Sequence, residues 1–162
     1  MKYGCFFLLC IILLGGCTSD QKQPYAEGQD STRTDSASAN KQLDSLPWNT
    51  TYNETTQKLQ LDHSGESMKG VGYEEIIRML NKKYPGIQME YQGMQGDTII
   101  TRIPDAIQLT QNIGTSGAES YLAEATFSLT EIPTIKAVKI EFEEGDHAMP
   151  GTFTRATFKD FN

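Results

Sequence analysis

The residues best suited to chemistry are two histidines, each of which directly follows an aspartate: Asp62-His63 and Asp146-His147. Histidine is the most frequent general base in enzymes, and a Ser-His-Asp triad would have to use one of these two histidines. The sequence contains no G-x-S-x-G nucleophile elbow. Ser64 follows His63, but sequence neighbours seldom meet in triad geometry. We therefore expect no catalytic residue and no enzyme; a hydrolytic enzyme that uses His147 and Asp146 is the alternative.

A metal site is a second interpretation of the same residues. The candidate ligands are His147, Asp146, His63 and Glu143, with Glu144 and Glu66 as further carboxylates. These side chains would converge if the first and last strands were neighbours in one sheet. A zinc site needs three or four ligands at ~2.0–2.2 Å, and the spacing matches no H-E-x-x-H motif. The sequence favours a turn in "EEGDHAMPG", where Gly145, Pro150 and Gly151 shape the backbone. We expect no cofactor.

The cysteines are concentrated at the start of the chain. Lys2 supplies a positive charge, and residues 5–16 form an uncharged apolar run of 12 residues. A membrane-spanning helix needs ~20 such residues, so the run fits the h-region of a secretory signal. Leu14-Gly15-Gly16-Cys17 resembles the bacterial lipobox. This resemblance implies that residues 1–16 are removed as a signal peptide and that the Cys17 thiol is lipidated. An ordinary signal peptide is the alternative, but no A-x-A cleavage site lies nearby.

Lipidation of Cys17 would account for the whole cysteine inventory. Cys5 and Cys10 would leave with the signal, so the mature domain would have no free thiol and no disulfide. Thr18 follows the cysteine in place of an aspartate. By the same resemblance, this residue disfavours retention at the inner membrane. We expect a lipid-anchored protein of the cell envelope, at the outer membrane of a Gram-negative bacterium.

Composition divides the mature chain into a tether and a domain. Residues 17–47 are rich in Ser, Thr, Asp, Gln and Ala and have few large apolar residues, so they are predicted to be a disordered tether. Residues 48–162 contain enough apolar residues for one modest core. The net charge is −7, which argues against nucleic acid as a partner because phosphate binding needs a basic face.

Hydrophobic periodicity predicts an α+β domain. Alternation predicts strands over 58–63, 87–92, 98–103 and 137–144. Helical spacing predicts one helix from Tyr73 to Tyr84 and another over residues 114–133, where Ser116 and Glu119 form a capping box. The order βαββαβ is that of the ferredoxin-like split βαβ, with a mainly antiparallel sheet and two helices on one face. The tail after Pro150 is predicted to be an irregular edge segment.

A family resemblance is found at the second helix and the strand after it. Residues 114–145 place Gly114 and Ser116 before the helix, Leu129-Thr130 and Pro133 at its end, and Val138 and Ile140 in the strand. This pattern resembles the C-terminal half of the sporulation and spore germination (GerMN-type) domain; with the hairpin before it, the likeness covers 98–145. It implies a non-enzymatic envelope module that engages other proteins. We expect a lipid-anchored binding domain with an envelope protein as partner. A metal-dependent or hydrolytic enzyme and a small-ligand-binding lipoprotein are the alternatives.

Overall fold

Six strands and two α-helices follow one another in the order β1-β2-α1-β3-β4-α2-β5-β6 within residues 41–161, the part of the chain that the computed structural model describes. Their bounds are β1 Trp48–Asn53, β2 Lys58–His63, α1 Tyr73–Lys83, β3 Glu90–Gln95, β4 Thr98–Arg102, α2 Gly114–Leu129, β5 Ala137–Glu141 and β6 Gly151–Phe153. A π-helical turn, Gln108–Asn112, precedes α2, and a 3₁₀ segment, Arg155–Phe161, follows β6. The predicted α+β class is confirmed.

The main sheet has four strands in the order β3-β4-β5-β6. β3 and β4 form the predicted hairpin through a two-residue turn, in which Gly96 takes a φ of 62° that glycine adopts without strain. β4 and β5 are parallel and are connected through α2, whereas β6 is antiparallel to β5. Together with the β1/β2 hairpin, three of the four strand pairs are antiparallel. The prediction of a mainly antiparallel structure is confirmed.

The order from β2 to β5 contains the predicted βαββαβ sequence of elements and is broadly compatible with a ferredoxin-like α+β fold. The difference lies in the first strand, which pairs with β1 in a separate two-stranded sheet instead of joining the main sheet. The Asn53 side chain closes this hairpin, because its Oδ1 accepts hydrogen bonds from the backbone N–H groups of Thr55 and Thr56 at 2.9 and 3.0 Å.

The helix α1 forms where the sequence predicts it. Its buried side chains are Ile76, Ile77, Met79 and Leu80, whose spacing places them on one face of a helix. Acidic residues occupy the first turn and basic residues the last, as the helix dipole favours. The helix ends before Pro85, with the Tyr84 N–H donating to the Leu80 carbonyl at 2.8 Å.

The helix α2 differs from its prediction because it is buried on nearly all sides. Every residue from Tyr121 to Leu129 is buried, including the polar residues among them. The helix contacts β1 and β2 as well as β5 and α1, so it lies between the hairpin and the main sheet and does not present a single covered stripe. The residue before the helix is Ile113, without a side-chain cap, so the Ser116–Glu119 capping box is a wrong prediction. The helix also ends at Leu129, before residue 133.

The domain begins earlier than residue 48. Leu43 and Leu46 retain 4% and 2% of their exposure and belong to the hydrophobic core. The Leu43 N–H donates to Glu75 Oε1 of α1 at 2.7 Å. Two leucines in a polar stretch were too few to predict packing, so the predicted boundary lies several residues too late. Within residues 41–161, no helix has the length and apolar character that crossing a membrane would need.

Candidate functional site

The Asp146-His147 pair lies in the loop between β5 and β6, and this loop packs against the π-helical turn. The His147 backbone N–H donates to the Thr110 carbonyl at 3.0 Å, and His147 Nδ1 is 3.2 Å from Thr115 Oγ1. A Cβ on Gly145 would lie 2.8 Å from Thr110 Cβ, so the close approach requires glycine. The segment thus forms a loop whose contacts are mainly to backbone and hydroxyl groups.

The Asp62-His63 pair lies at the end of β2, and the His63 ring has different neighbours from those of His147. It packs edge-on against Trp48, with ring centroids 4.8 Å apart, and its Nε2 is 3.7 Å from Glu131 Oε1. Across residues 41–161, no three side chains among His, Cys, Asp and Glu are grouped to hold a metal ion. The predicted ligands His63, Glu143, Asp146 and His147 are therefore not brought together, because β2 is not in the sheet that contains β5. Cys17 lies outside the described residues.

The structure instead builds a polar cluster at the carboxyl end of α2. The turn after the helix places Glu131, whose N–H donates to the Ser128 carbonyl. Arg155 reaches it from the start of the 3₁₀ segment, with Nη2 2.5 Å from Glu131 Oε2. The same guanidinium donates from Nε to Thr130 Oγ1 at 2.9 Å and from Nη2 to the Phe127 carbonyl at 3.2 Å. A cation at this position also interacts favourably with the negative end of the helix dipole.

Two aromatic rings pack against the Arg155 side chain of this cluster. The Arg155 guanidinium carbon is 5.3 Å from the Trp48 ring centroid and 5.1 Å from that of Phe127, within cation–π range. Trp48 and Phe127 pack edge to face at 5.1 Å, and Trp48 Nε1 donates to Glu131 Oε2 at 3.0 Å. The hairpin, α2 and the 3₁₀ segment therefore all position Arg155 and Glu131.

The acidity of Glu131 follows from these contacts. Partial burial alone would raise the pKa of this carboxyl. The hydrogen bonds from Trp48 and Arg155, with the positive charge of Arg155, outweigh burial and hold the pKa below its usual value. Glu131 is thus a carboxylate at neutral pH, and its interactions stabilise the fold above the unfolded pKa of about 4.3 and are lost as the pH falls through the lower folded value.

An open cleft with a volume of about 520 Å³ lies beside the cluster. We call it the Arg155 cleft, and its lining residues are Thr130, Glu131, Pro133, Ile135, Lys136, Thr154, Arg155 and Ala156. Ligand pockets in proteins commonly measure about 300–1,000 Å³ and combine apolar walls with a few polar groups. This cleft has both, and it is the candidate functional site of the described domain.

Two cationic groups at this cleft retain hydrogen-bonding capacity. The Nε and Nη2 groups of Arg155 donate to protein acceptors, whereas Nη1 makes no hydrogen bond among residues 41–161. Lys136 is exposed, and only its backbone N–H is bonded in the described region, to the Asp97 carbonyl at 2.8 Å. The cleft can therefore donate to an anion without breaking a contact that stabilises the domain.

A second polar cluster nearby is fully satisfied and has a structural role. Glu124 in α2 has no exposed surface, and its carboxylate accepts hydrogen bonds from Lys83 Nζ at 2.7 Å and Tyr84 Oη at 2.8 Å. The backbone N–H and hydroxyl of Thr50 donate to the other oxygen at 2.7 and 2.8 Å. Burial first, and then the Glu124 charge, raise the pKa of the Tyr84 phenol, so Tyr84 remains a donor.

Sequence reasoning missed Trp48, Glu131 and Arg155 as site residues. Trp48 lies 83 positions from Glu131, and Arg155 lies 24 positions from it. No local motif links residues so far apart, and the "LTEIP" segment by itself indicates only the end of a helix. The one available signal was that Trp48 is the sole tryptophan of the chain.

Comparison of the chain with protein-family models, curated proteins and solved structures gave no match.

Proposed function

We propose that this chain is a lipid-anchored protein of the cell envelope whose domain binds a partner protein at the Arg155 cleft. The lipobox-like Leu14-Gly15-Gly16-Cys17 supports the anchor. The single observation that supports the binding function is the cleft itself. Two of its lining residues, Lys136 and Arg155, have side-chain donors that make no hydrogen bond within the described domain. The partner is an envelope protein, and the anchor is the acylated Cys17 at the outer membrane of a Gram-negative bacterium.

Preorganisation supports binding at this position. Arg155 is fixed by two side-chain acceptors, one carbonyl and two aromatic faces. A side chain that is already ordered loses little entropy when a partner binds, so more of the interaction energy becomes affinity. The resemblance of residues 114–145 to the GerMN-type domain supports the same proposal, because Thr130 and Glu131 belong to that stretch.

Site-specific photocrosslinking in living cells tests this proposal. Ala156 is exposed and lines the cleft, so a photoreactive phenylalanine analogue at this position would touch a bound partner. Lys58 is exposed on the β1/β2 hairpin and does not line the cleft, and the same analogue there is the matched control. We expect a discrete adduct with an envelope protein from position 156 and none from position 58. Equal labelling from both positions, or no adduct, contradicts the proposal.

A further inference from the structure

The Arg155 cleft has a charge balance that selects for one kind of anion. Its lining residues include one carboxylate, Glu131, and two cations, Lys136 and Arg155. The local charge is therefore 2 − 1 = +1, in a chain whose net charge is −7. A ligand with one negative charge would neutralise the cleft, whereas a phosphate monoester carries about −1.5 to −2 near neutral pH and would be repelled by Glu131.

We propose that the cleft binds a single carboxylate group of the partner protein, through the Lys136 ammonium and the Nη1 edge of the Arg155 guanidinium. This inference rests on the proposed binding function and adds the chemistry of the ligand. Guanidinium groups match the planar geometry of carboxylates and form short, charge-assisted hydrogen bonds with them. Neither donor has to leave a partner within the described domain to make these bonds.

The remaining walls accommodate the rest of such a ligand. Thr154 contributes a hydroxyl, and its backbone N–H is already satisfied by Thr157 Oγ1 at 3.0 Å. Pro133 and Ala156 are exposed and provide an apolar surface beside the cations. A carboxylate attached to a small apolar side chain, as at the end of a peptide, meets both requirements. We therefore identify the ligand group as a peptide carboxylate next to an apolar residue.

Trp48 provides a direct readout of binding in the full chain. It is the only tryptophan, it donates to Glu131, and its ring lies beneath the Arg155 guanidinium. The detergent-solubilised full-length protein would be titrated with N-acetyl-Gly-Val as the free acid and with the C-terminal amide of the same peptide, at low ionic strength. We expect a saturable change in tryptophan emission with the acid and none with the amide. An equal response to both peptides, or no saturation with the acid, overturns the inference.

Three variants then test the roles of the charges. Lys136→Gln is expected to weaken binding of the acid about tenfold, as loss of one charge-assisted hydrogen bond would do. Lys58→Gln, at an exposed lysine outside the cleft, is the matched control and should leave the affinity unchanged. Glu131→Gln removes the repulsive charge, so it should raise the affinity for phenyl phosphate relative to that for the acid, a ratio that any loosening of Arg155 affects equally. Unchanged affinity in Lys136→Gln, or an unchanged ratio of the two affinities in Glu131→Gln, contradicts the carboxylate assignment.

Two comparisons separate failure of this inference from failure of the proposed function. If crosslinking from position 156 persists while the acid and the amide behave alike, the cleft binds a partner but not through a carboxylate. If crosslinking is absent, the binding function itself is wrong. N-acetylvaline serves as a single-residue acid: tighter binding of the dipeptide identifies the carboxylate as that of a peptide chain, and equal binding overturns the peptide assignment.

Discussion

The buried polar side chains of this domain differ in whether their polar atoms have hydrogen-bond partners. Glu124 is enclosed in α2, yet donors from β1 and from the end of α1 satisfy both of its oxygens. By contrast, Tyr121 Oη and Ser128 Oγ, on the same helix, are buried with no hydrogen-bond partner in the described region. A buried carboxylate is costly unless it is paired in this way, so Glu124 links three elements that would otherwise meet only through apolar contacts.

Replacement of this carboxylate tests its role in stability. Glu124→Ala would leave the Tyr84 hydroxyl and the Thr50 N–H without an acceptor, while Lys83 can turn towards solvent because 37% of its side chain is exposed. We expect the free energy of unfolding to fall by about 2–4 kcal/mol, measured by urea denaturation. Glu119→Ala, at an exposed residue before the enclosed part of the same helix, is the control and should change stability by less than about 0.5 kcal/mol. Similar losses in both variants would contradict the role assigned to Glu124.

Sequence reasoning could not reach these residues, for a physical reason. Glu124 is 74 positions from Thr50 and about 40 from its other partners. Their meeting depends on the packing of the hairpin against α2, which no local spacing encodes. The two Asp-His pairs, in contrast, were obvious in the sequence, and the structure places them in separate regions. Local chemistry identified candidates, but only tertiary packing decides which side chains meet.

Whole elements were predictable where one period dominated the sequence. α1 and β4 follow the expected patterns because each is buried on one side only. The strand predicted over 87–92 is shifted: β3 begins at Glu90 and is largely exposed, whereas the buried Ile87 and Met89 precede it. β1 was missed because "WNTTYN" has no alternation of large apolar residues and is only partly buried. The sequence predicts α2 as a helix but does not predict its enclosure, because the polar residues Glu124, Thr126 and Ser128 lie outside the predicted apolar stripe and are nevertheless buried.

The segment before β1 provides a test at the scale of an element. Leu46 retains 2% exposure and, with Leu43, anchors residues 41–47 to the core. Leu46→Ala should lower the free energy of unfolding by about 2–5 kcal/mol, as for other buried leucines. Asp44→Ala changes an exposed residue of the same segment and should have little effect. Thermal or urea unfolding of the two full-length variants would distinguish them, and an unaffected Leu46→Ala would place the segment outside the domain.

At the scale of the whole molecule, the α+β class was accessible because periodicity and element order determine it, whereas the assignment of β2 to a second sheet depended on the unpredicted β1. The proposed function joins two features that lie far apart in sequence, the lipidation motif at Cys17 and the Arg155 cleft. In this proposal the two features are independent, because the anchor would determine where the domain is held and the cleft would determine what it binds. Each can therefore be removed without the other.

Removal of the anchor gives a prediction for the intact molecule. The proposed lipid requires a sulfur nucleophile, so Cys17→Ser should abolish acylation, while the domain should retain its fold and its response to the free-acid peptide. Each buried CH₂ contributes ~0.8 kcal/mol to membrane binding, and stable anchoring takes more than one acyl chain. Loss of all chains should therefore move the protein from the membrane pellet to the soluble fraction or leave it as an uncleaved precursor.

Cys10→Ser, within the predicted signal peptide, is the matched control and should still sediment with membranes. Intact-mass measurement should find acyl chains on the control and none on Cys17→Ser; a Cys17→Ser protein that is processed normally and remains with the membranes would contradict the anchor, although the cleft could still bind its ligand.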